Sequence, residues 1–131
     1  MAEKSQTPAL QDIVDSIGRI RSKMDGVSLS EFEADWERQW VVERGAEIVS
    51  EASRRLPDDL KNRYPDIPWK KIAGIGNILR HDYDEVSPRV LWNMAHNDLS
   101  PLERVCKAEL MREALSQGDQ LSRDDSGGRS R

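Results

Sequence analysis

The residues of this chain whose types and spacing could carry out chemistry lie close together in residues 74–83, which read GIGNILRHDY. This stretch brings Arg80, His81 and Tyr83 within four positions, and His81 is one of only two histidines in the protein. Residues four apart on a helix share a face, so Asn77 is expected beside His81. The stretch is therefore the first candidate for a site.

Histidine titrates near neutral pH and can act as a general base or acid. Arginine carries a permanent charge on a planar fork that suits phosphate oxygens. Together they suit the cleavage of RNA without a metal. His81 would take the proton from a 2′-hydroxyl, Arg80 would stabilise the charge that builds on phosphorus, and Asn77 would support the histidine.

Simpler interpretations of the same residues stay open at this point. A histidine at a helix end can cap the terminal carbonyls, an exposed Arg–His pair can be ordinary surface, and Tyr83 can anchor a loop to the core. Neither a metal nor a cofactor is expected. His81 and His96 are far apart in sequence, Cys106 is alone, and the chain has neither zinc-type spacing nor a glycine-rich phosphate loop.

The composition predicts a single helical domain with a heavily charged surface. The chain has 131 residues, 37% of them hydrophobic and 34% charged, with a net charge of -4. This balance argues against a general nucleic-acid coat, which needs many cationic contacts with phosphates. A single cysteine excludes an internal disulfide, the N-terminal residues lack the apolar middle of a signal peptide, and the longest apolar runs fall short of a membrane span. The cytoplasm is therefore the expected compartment.

Helix signals predict the elements that would position the site. A first helix is expected from Thr7, as its N-cap, to a stop at Gly26. A second is expected to begin at the capping box of Ser28 and Glu31 and to run as one helix to about Leu56. Its apolar face and the other helical stripes should place most of the methionines and the four tryptophans, Trp36, Trp40, Trp69 and Trp92, in the core. Gly45 lies on that face and could allow a close helix contact.

The second half of the chain continues the helical pattern. A short turn at 57–60 and a proline-bracketed connector at 64–69 precede a third helix, which should end near residues 80–83. Serine–proline caps at 87–88 and 100–101 predict two further helices. The prediction is an all-α antiparallel bundle of four principal helices plus short ones. Its domain covers 7–116, between a flexible N-terminus at 1–6 and a disordered tail at 117–131.

From about Leu10 to Leu110, the chain resembles the HepT-like proteins, a branch of the HEPN superfamily of all-α toxins. The most specific shared features are the connector YPDIPW at 64–69 and the HDY at 81–83 that follows it. The other matching segments are Asp12–Ile17, Val42–Arg44, Ile48–Ala52, Val90–Trp92 and Asn97–Leu99.

The resemblance implies a ribonuclease toxin of a type VII-like toxin–antitoxin pair, which acts as a homodimer with two active sites facing a shared cleft. It implies a minimal nucleotidyltransferase as antitoxin, which adds AMP to the motif tyrosine. The motif is an arginine, four to six residues, then histidine, any residue and tyrosine. His81 and Tyr83 match it.

The arginine of the motif has no match in this chain. Its allowed positions are Gly74, Ile75 and Gly76, and none of them is basic. Arg80 lies one helical turn after Gly76, and helical side chains lean back toward the N-terminus. One hypothesis is that Arg80 supplies the missing guanidinium. The alternative is a catalytically impaired HEPN module that binds the nucleotidyltransferase or serves as its AMPylation substrate.

Overall fold

The computed structural model describes the backbone of residues 6–81 and 87–129 and the side chains of residues 6–79 and 87–118. The described part is built from helices and contains no strand, which confirms the predicted all-α class. Four long helices and three short ones occur in chain order: α1 (Thr7–Met24), α2 (Leu29–Glu33), α3 (Trp36–Arg54), α4 (Asp58–Asn62), α5 (Trp69–His81), α6 (Pro88–Asn97) and α7 (Leu99–Arg129).

Helices α1 and α3 pack closely because Gly45 carries no side chain. A Cβ at this position would lie 2.7 Å from Cγ1 of Ile20, which is closer than two non-bonded carbon atoms approach in proteins. Toward the other end of the pair, the guanidinium of Arg55 reaches the carboxylate of Asp12 at 2.9 Å. The two contacts show that α1 and α3 run antiparallel, and they confirm the predicted role of Gly45.

Helix α7 runs antiparallel to α1 on its other side. Arg21 pairs with Glu103 at 2.5 Å, and Thr7 donates a hydrogen bond to Glu113. Burial would raise the pKa of Glu103, but the hydrogen bond and charge of Arg21, together with Lys107, hold that pKa below its usual range. The prediction of Thr7 as N-cap is wrong. The helix begins at Thr7 itself after Gln6, and the threonine hydroxyl bonds to α7 instead of capping α1.

The single helix predicted from Ser28 to Leu56 is two helices in the structure. The capping box of Ser28 and Glu31 starts α2 as predicted, but α2 ends at Glu33. Asp35 then leaves the helical conformation, and its carboxylate accepts a hydrogen bond from the backbone N–H of Arg38 at 3.0 Å. Asp35 is thus the N-cap of a new helix.

Two of the four tryptophans are not in the core, because they lie off the buried face of α3. The buried stripe of α3 passes through Val42, Ala46 and Val49, whereas Trp36 and Trp40 are 58% and 64% exposed. The prediction of a core role is therefore wrong for these two, because it assumed one continuous apolar face. Trp69 and Trp92 are half-buried and pack against the core. The core itself is mainly aliphatic, centred on Leu10, Ile13, Ile17, Ile20, Phe32, Val42, Val49, Leu60, Ile72, Leu91, Leu99 and Leu102.

The two last helices follow each other almost directly. The hydroxyl of Ser87 accepts a hydrogen bond from the N–H of Arg89 at 3.1 Å, which confirms the predicted cap of α6. Helix α7 begins at Leu99, one residue before the predicted cap at Ser100, because only Asp98 separates it from α6. The helical backbone of α7 extends to Arg129. The predicted domain boundary near residue 116 and the predicted tail at 117–131 stay predictions.

Candidate functional site

Helix α5 carries the predicted site, and its first turn is fixed by the connector before it. The indole N–H of Trp69 donates to the carbonyl oxygens of Tyr64 at 3.0 Å and Lys61 at 3.2 Å. The half-buried indole also packs against the core. The start of α5 therefore has a defined position relative to α4.

The middle of α5 is held against α3 by the buried hydroxyl of Ser50. This hydroxyl donates to the carbonyl oxygen of Ala73 at 2.9 Å and accepts from the backbone N–H of Gly76 at 3.0 Å. Arg54 adds a bond from its guanidinium to the same carbonyl at 3.3 Å. Ser50 thereby fixes the position of α5 five residues before His81.

Sequence reasoning missed Ser50. A signal existed, because Ser50 and Ser53 lie on the apolar face of α3 among Ala46, Val49 and Ala52. A buried hydroxyl on such a face must find a hydrogen-bond partner. The sequence does not say which neighbouring helix supplies that partner.

The predicted site residues occupy the last two turns of α5 and the segment after it. Asn77 is exposed, and the backbone of Arg80 and His81 completes the helix, as predicted. The side chains of Arg80 and His81 lie outside the described residues, as does Tyr83 within residues 82–86. Their roles stay predictions.

Gly76 is one of the three positions that the motif allows for its arginine. It is buried in the contact between α3 and α5, with its N–H on Ser50. The replacement of the motif arginine by Arg80 is not tested by the described contacts and stays a hypothesis.

Helix α3 brings two carboxylates to the level of the last turns of α5. Glu43 and Glu47 precede Ser50 by seven and three residues, which places all three on one side of α3. Burial, and then the charge of Glu47, raise the pKa of Glu43. Arg44 pairs with Glu47 at 3.1 Å. Carboxylates as well as arginine side chains therefore lie at this level of the bundle. The electrostatic potential that a polyanion would meet here is favourable only where the arginines outweigh the carboxylates.

The second histidine lies elsewhere. The ring of His96 stacks on Trp92 with 4.1 Å between centroids, and its Nδ1 lies 2.8 Å from the carbonyl oxygen of Trp92. Because a carbonyl oxygen only accepts, Nδ1 carries the proton in this bond. His96 lines a cavity of about 400 Å³ between the end of α1 and the α6–α7 junction, with Arg21 and Met24. The structure thus separates the two histidines onto different helices.

Two further properties concern the described residues only. They contain no group of three or more histidine, cysteine, aspartate or glutamate side chains that could hold a metal ion. None of the described helices is both long and apolar enough to cross a membrane.

Comparison with known proteins places the chain in a family. The Ribonuclease HepT-like family matches residues 13–109, which span the bundle from α1 into α7 and include all of α5. The protein named "Probable ribonuclease HepT" from Thermococcus cleftensis is 34% identical over 101 residues, covering 77% of this chain and 92% of the relative. "Putative RNase MJ0127" from Methanocaldococcus jannaschii is 31% identical over 111 residues, covering 82% of this chain and 92% of the relative.

No solved structure matches the chain. The family match and the identities confirm the resemblance that the connector and the HDY segment predicted. The chain therefore belongs to the HepT-like ribonuclease family.

Proposed function

We propose that this chain is a metal-independent endoribonuclease that acts as the toxin of a type VII-like toxin–antitoxin pair in the cytoplasm. The observation that carries the proposal is the family match over residues 13–109. It includes the helix whose last turn holds Arg80 and His81. The attachment of α5 to α3 through Ser50 supports it, because a catalytic group needs a rigid element beneath it.

In the proposed reaction, His81 removes the proton of a ribose 2′-hydroxyl. The 2′-oxygen attacks phosphorus, the bond from phosphorus to the 5′-oxygen breaks, and an imidazolium returns a proton to that oxygen. An arginine stabilises the charge on the phosphoryl oxygens. We assign this role to Arg80, with Asn77 as the neighbour that supports the histidine.

A second proposal has a specific observation in its favour. None of the three positions that the motif allows for its arginine is basic, and one of them, Gly76, is buried against α3. In this alternative, the chain is a catalytically impaired HEPN module that binds a minimal nucleotidyltransferase or accepts AMP on Tyr83. A mass increase confined to Tyr83, after incubation with that partner and ATP, would support the modification under either proposal.

A homodimer belongs to both proposals. The chain is acidic overall, so one site gives little hold on a polyanion. Two sites facing one cleft would double the local positive charge, with Arg44 as a further cation at its edge. Sedimentation velocity at micromolar concentration is expected to show a dimer, and a stable monomer would contradict this part of the proposal.

Expression in cells and an RNA assay together separate the two proposals. The toxin proposal expects growth arrest when the chain is expressed alone, with loss of arrest in His81→Ala. The purified wild type should cleave RNA in the presence of a metal chelator. If Arg80→Ala cleaves as fast as wild type, Arg80 is not the phosphate-binding arginine. If wild type neither arrests growth nor cleaves RNA, the binding-module proposal is favoured.

A further inference from the structure

A surface groove between α1 and α3 has properties that the proposed catalytic residues do not use. We name it the α1–α3 groove. It has a volume of about 330 Å³ and is lined by Arg19, Trp40, Val41, Arg44, Gly45 and Ile48, among others. Gly45 has no side chain that could fill the groove, and Ile20 packs directly against that position.

The charge of the groove is opposite to that of the protein. Among the described residues, the charged groups that line it are Arg19 and Arg44, although the chain carries a net charge of -4. Arg19 forms no salt bridge with a described carboxylate. Arg44 pairs with Glu47, but its side chain is 72% exposed, so a phosphate can approach it. The groove is therefore a local cationic site on an acidic surface.

An aromatic side chain lies beside these cations. The indole of Trp40 is 64% exposed and meets Trp36 edge-on, with ring centroids 4.9 Å apart. The edge contact orients the Trp40 ring and leaves much of it open to solvent. Exposed aromatic rings between cations are the usual means of binding single-stranded nucleic acids, because bases stack on the rings while arginines contact phosphates.

The groove lies at the same height in the bundle as the last turn of α5. Helices α3 and α5 run antiparallel, and Ser50 bonds to Gly76. Arg44 is six residues before Ser50, and His81 is five residues after Gly76. At a rise of about 1.5 Å per residue, these positions lie about 9 Å and about 7.5 Å from the Ser50 contact, in the same direction. The groove and the proposed catalytic end therefore lie at the same level along α3.

We propose that the α1–α3 groove binds a single-stranded part of the RNA substrate, with one base stacked on Trp40 and phosphates on Arg19 and Arg44. This inference rests on the proposed ribonuclease function and adds a substrate-binding surface outside the catalytic residues. A second copy of the chain fits the groove less well. A two-fold contact through this face would bring the same two arginines of each copy together.

Binding is measured by fluorescence anisotropy with a labelled single-stranded oligouridylate in a His81→Ala background, so that the RNA stays intact. Trp40→Ala is expected to weaken binding about tenfold. Arg19→Ala with Arg44→Ala should reduce the slope of log K against log salt concentration by about 0.7 for each phosphate that is no longer neutralised. The matched control is Lys70→Ala with Arg104→Ala, which removes the same charge from exposed positions outside the groove and should retain the slope.

The outcomes separate this inference from the proposed function. If wild type cleaves RNA, and the groove substitutions change neither binding in the His81→Ala background nor cleavage with His81 intact, the groove inference is wrong and the ribonuclease proposal stands. If RNA binds through Trp40 but is never cleaved, the groove is confirmed and the ribonuclease proposal fails. If Trp40→Ala turns a dimer into a monomer while RNA binding per chain is unchanged, the groove is a dimer interface and the inference is overturned.

Discussion

The two ends of the bundle differ in how completely their side chains are paired. At the connector end, where α4 leads into α5, the buried carboxylate of Glu109 accepts from the hydroxyl of Tyr64 at 2.7 Å and pairs with Arg63. That hydrogen bond, burial and the charge of Glu109 raise the pKa of Tyr64. The indole N–H of Trp69 is satisfied by two carbonyls nearby.

At the site end, where α5 finishes and α3 begins, a larger group of apolar side chains faces solvent. Trp36, Trp40, Val41, Ile78 and Val90 are exposed there, whereas the connector end exposes Met111 and Leu115. Exposed apolar groups at one end of a monomer are typical of a surface that meets a partner or a ligand. The comparison indicates that the connector end carries more of the buried polar contacts, while the site end exposes more apolar side chains.

The largest stability difference between the ends is expected for their carboxylates. Glu109→Gln should lower the free energy of unfolding by about 2 kcal/mol, because it weakens bonds to charged and hydroxyl partners at a buried site. Glu47→Gln, in the exposed pair with Arg44, should change it by less than about 1 kcal/mol. Urea denaturation measures both. Equal losses would contradict the contrast between the two ends.

Between the two ends, Ser50 links α3 to α5. Ser50→Ala should cost about 1–3 kcal/mol, since the buried N–H of Gly76 loses the hydroxyl that accepts from it. Ser53→Ala is the matched control. The hydroxyl of Ser53 bonds to the carbonyl of Ser50 in its own helix, so its removal leaves the attachment of α5 in place and should cost little. RNA cleavage, measured where both variants are fully folded, should fall for Ser50→Ala alone. Unchanged cleavage would show that this contact does not position the site.

The close approach of α1 and α3 can be tested with two glycines. Gly45→Ala should lower stability by about 1 kcal/mol, because Ile20 must move to admit the new Cβ. Gly18→Ala lies in α1 with no atom within 4 Å of the added Cβ, and should raise stability by about 0.5–1 kcal/mol through helix propensity. Thermal unfolding of both variants gives the signs. A stabilising Gly45→Ala would mean that the helices are farther apart than described.

The smallest expected effect on stability comes from the buried thiol of Cys106. Burial, with a contribution from the charge of Glu109, raises the pKa of the Cys106 thiol to about 12. The unfolded chain loses the thiol proton above the ordinary cysteine pKa of 9.0, whereas the folded protein keeps it there. The free energy of unfolding should therefore decrease as the pH rises above 9.0. A chromogenic disulfide reagent should react slowly with the native protein and rapidly in guanidinium. Rapid native reaction would contradict the burial.

Sequence reasoning predicted the helices whose signals are local. The capping box at Ser28, the serine–proline cap at Ser87 and the glycine stop at Gly26 depend only on nearby residues, and each stands where predicted. The errors came from interactions that pattern alone does not encode. Asp35 interrupts an apolar stripe that looked continuous, and Trp36 and Trp40 lie on a face of α3 outside its buried stripe.

For the candidate site, the sequence predicted a helix that ends near residues 80–83, and α5 ends at His81. It did not indicate Ser50, because the partners of that hydroxyl are on α5, more than twenty residues later in the chain. It also did not indicate the α1–α3 groove, since this surface exists only where two helices meet around Gly45. Features that need two distant segments were the ones the sequence left unpredicted.

The central claim is that the end of α5 is a ribonuclease site with His81 as its acid–base group. The most direct measurement is the rate of RNA cleavage by His81→Ala and His96→Ala, with wild type, in the presence of a metal chelator. These are the two histidines of the chain, and His96 is stacked on Trp92 in α6. We predict that His81→Ala lowers the rate about 10²–10⁴-fold and that His96→Ala retains it. Equal rates for the two variants would contradict the claim.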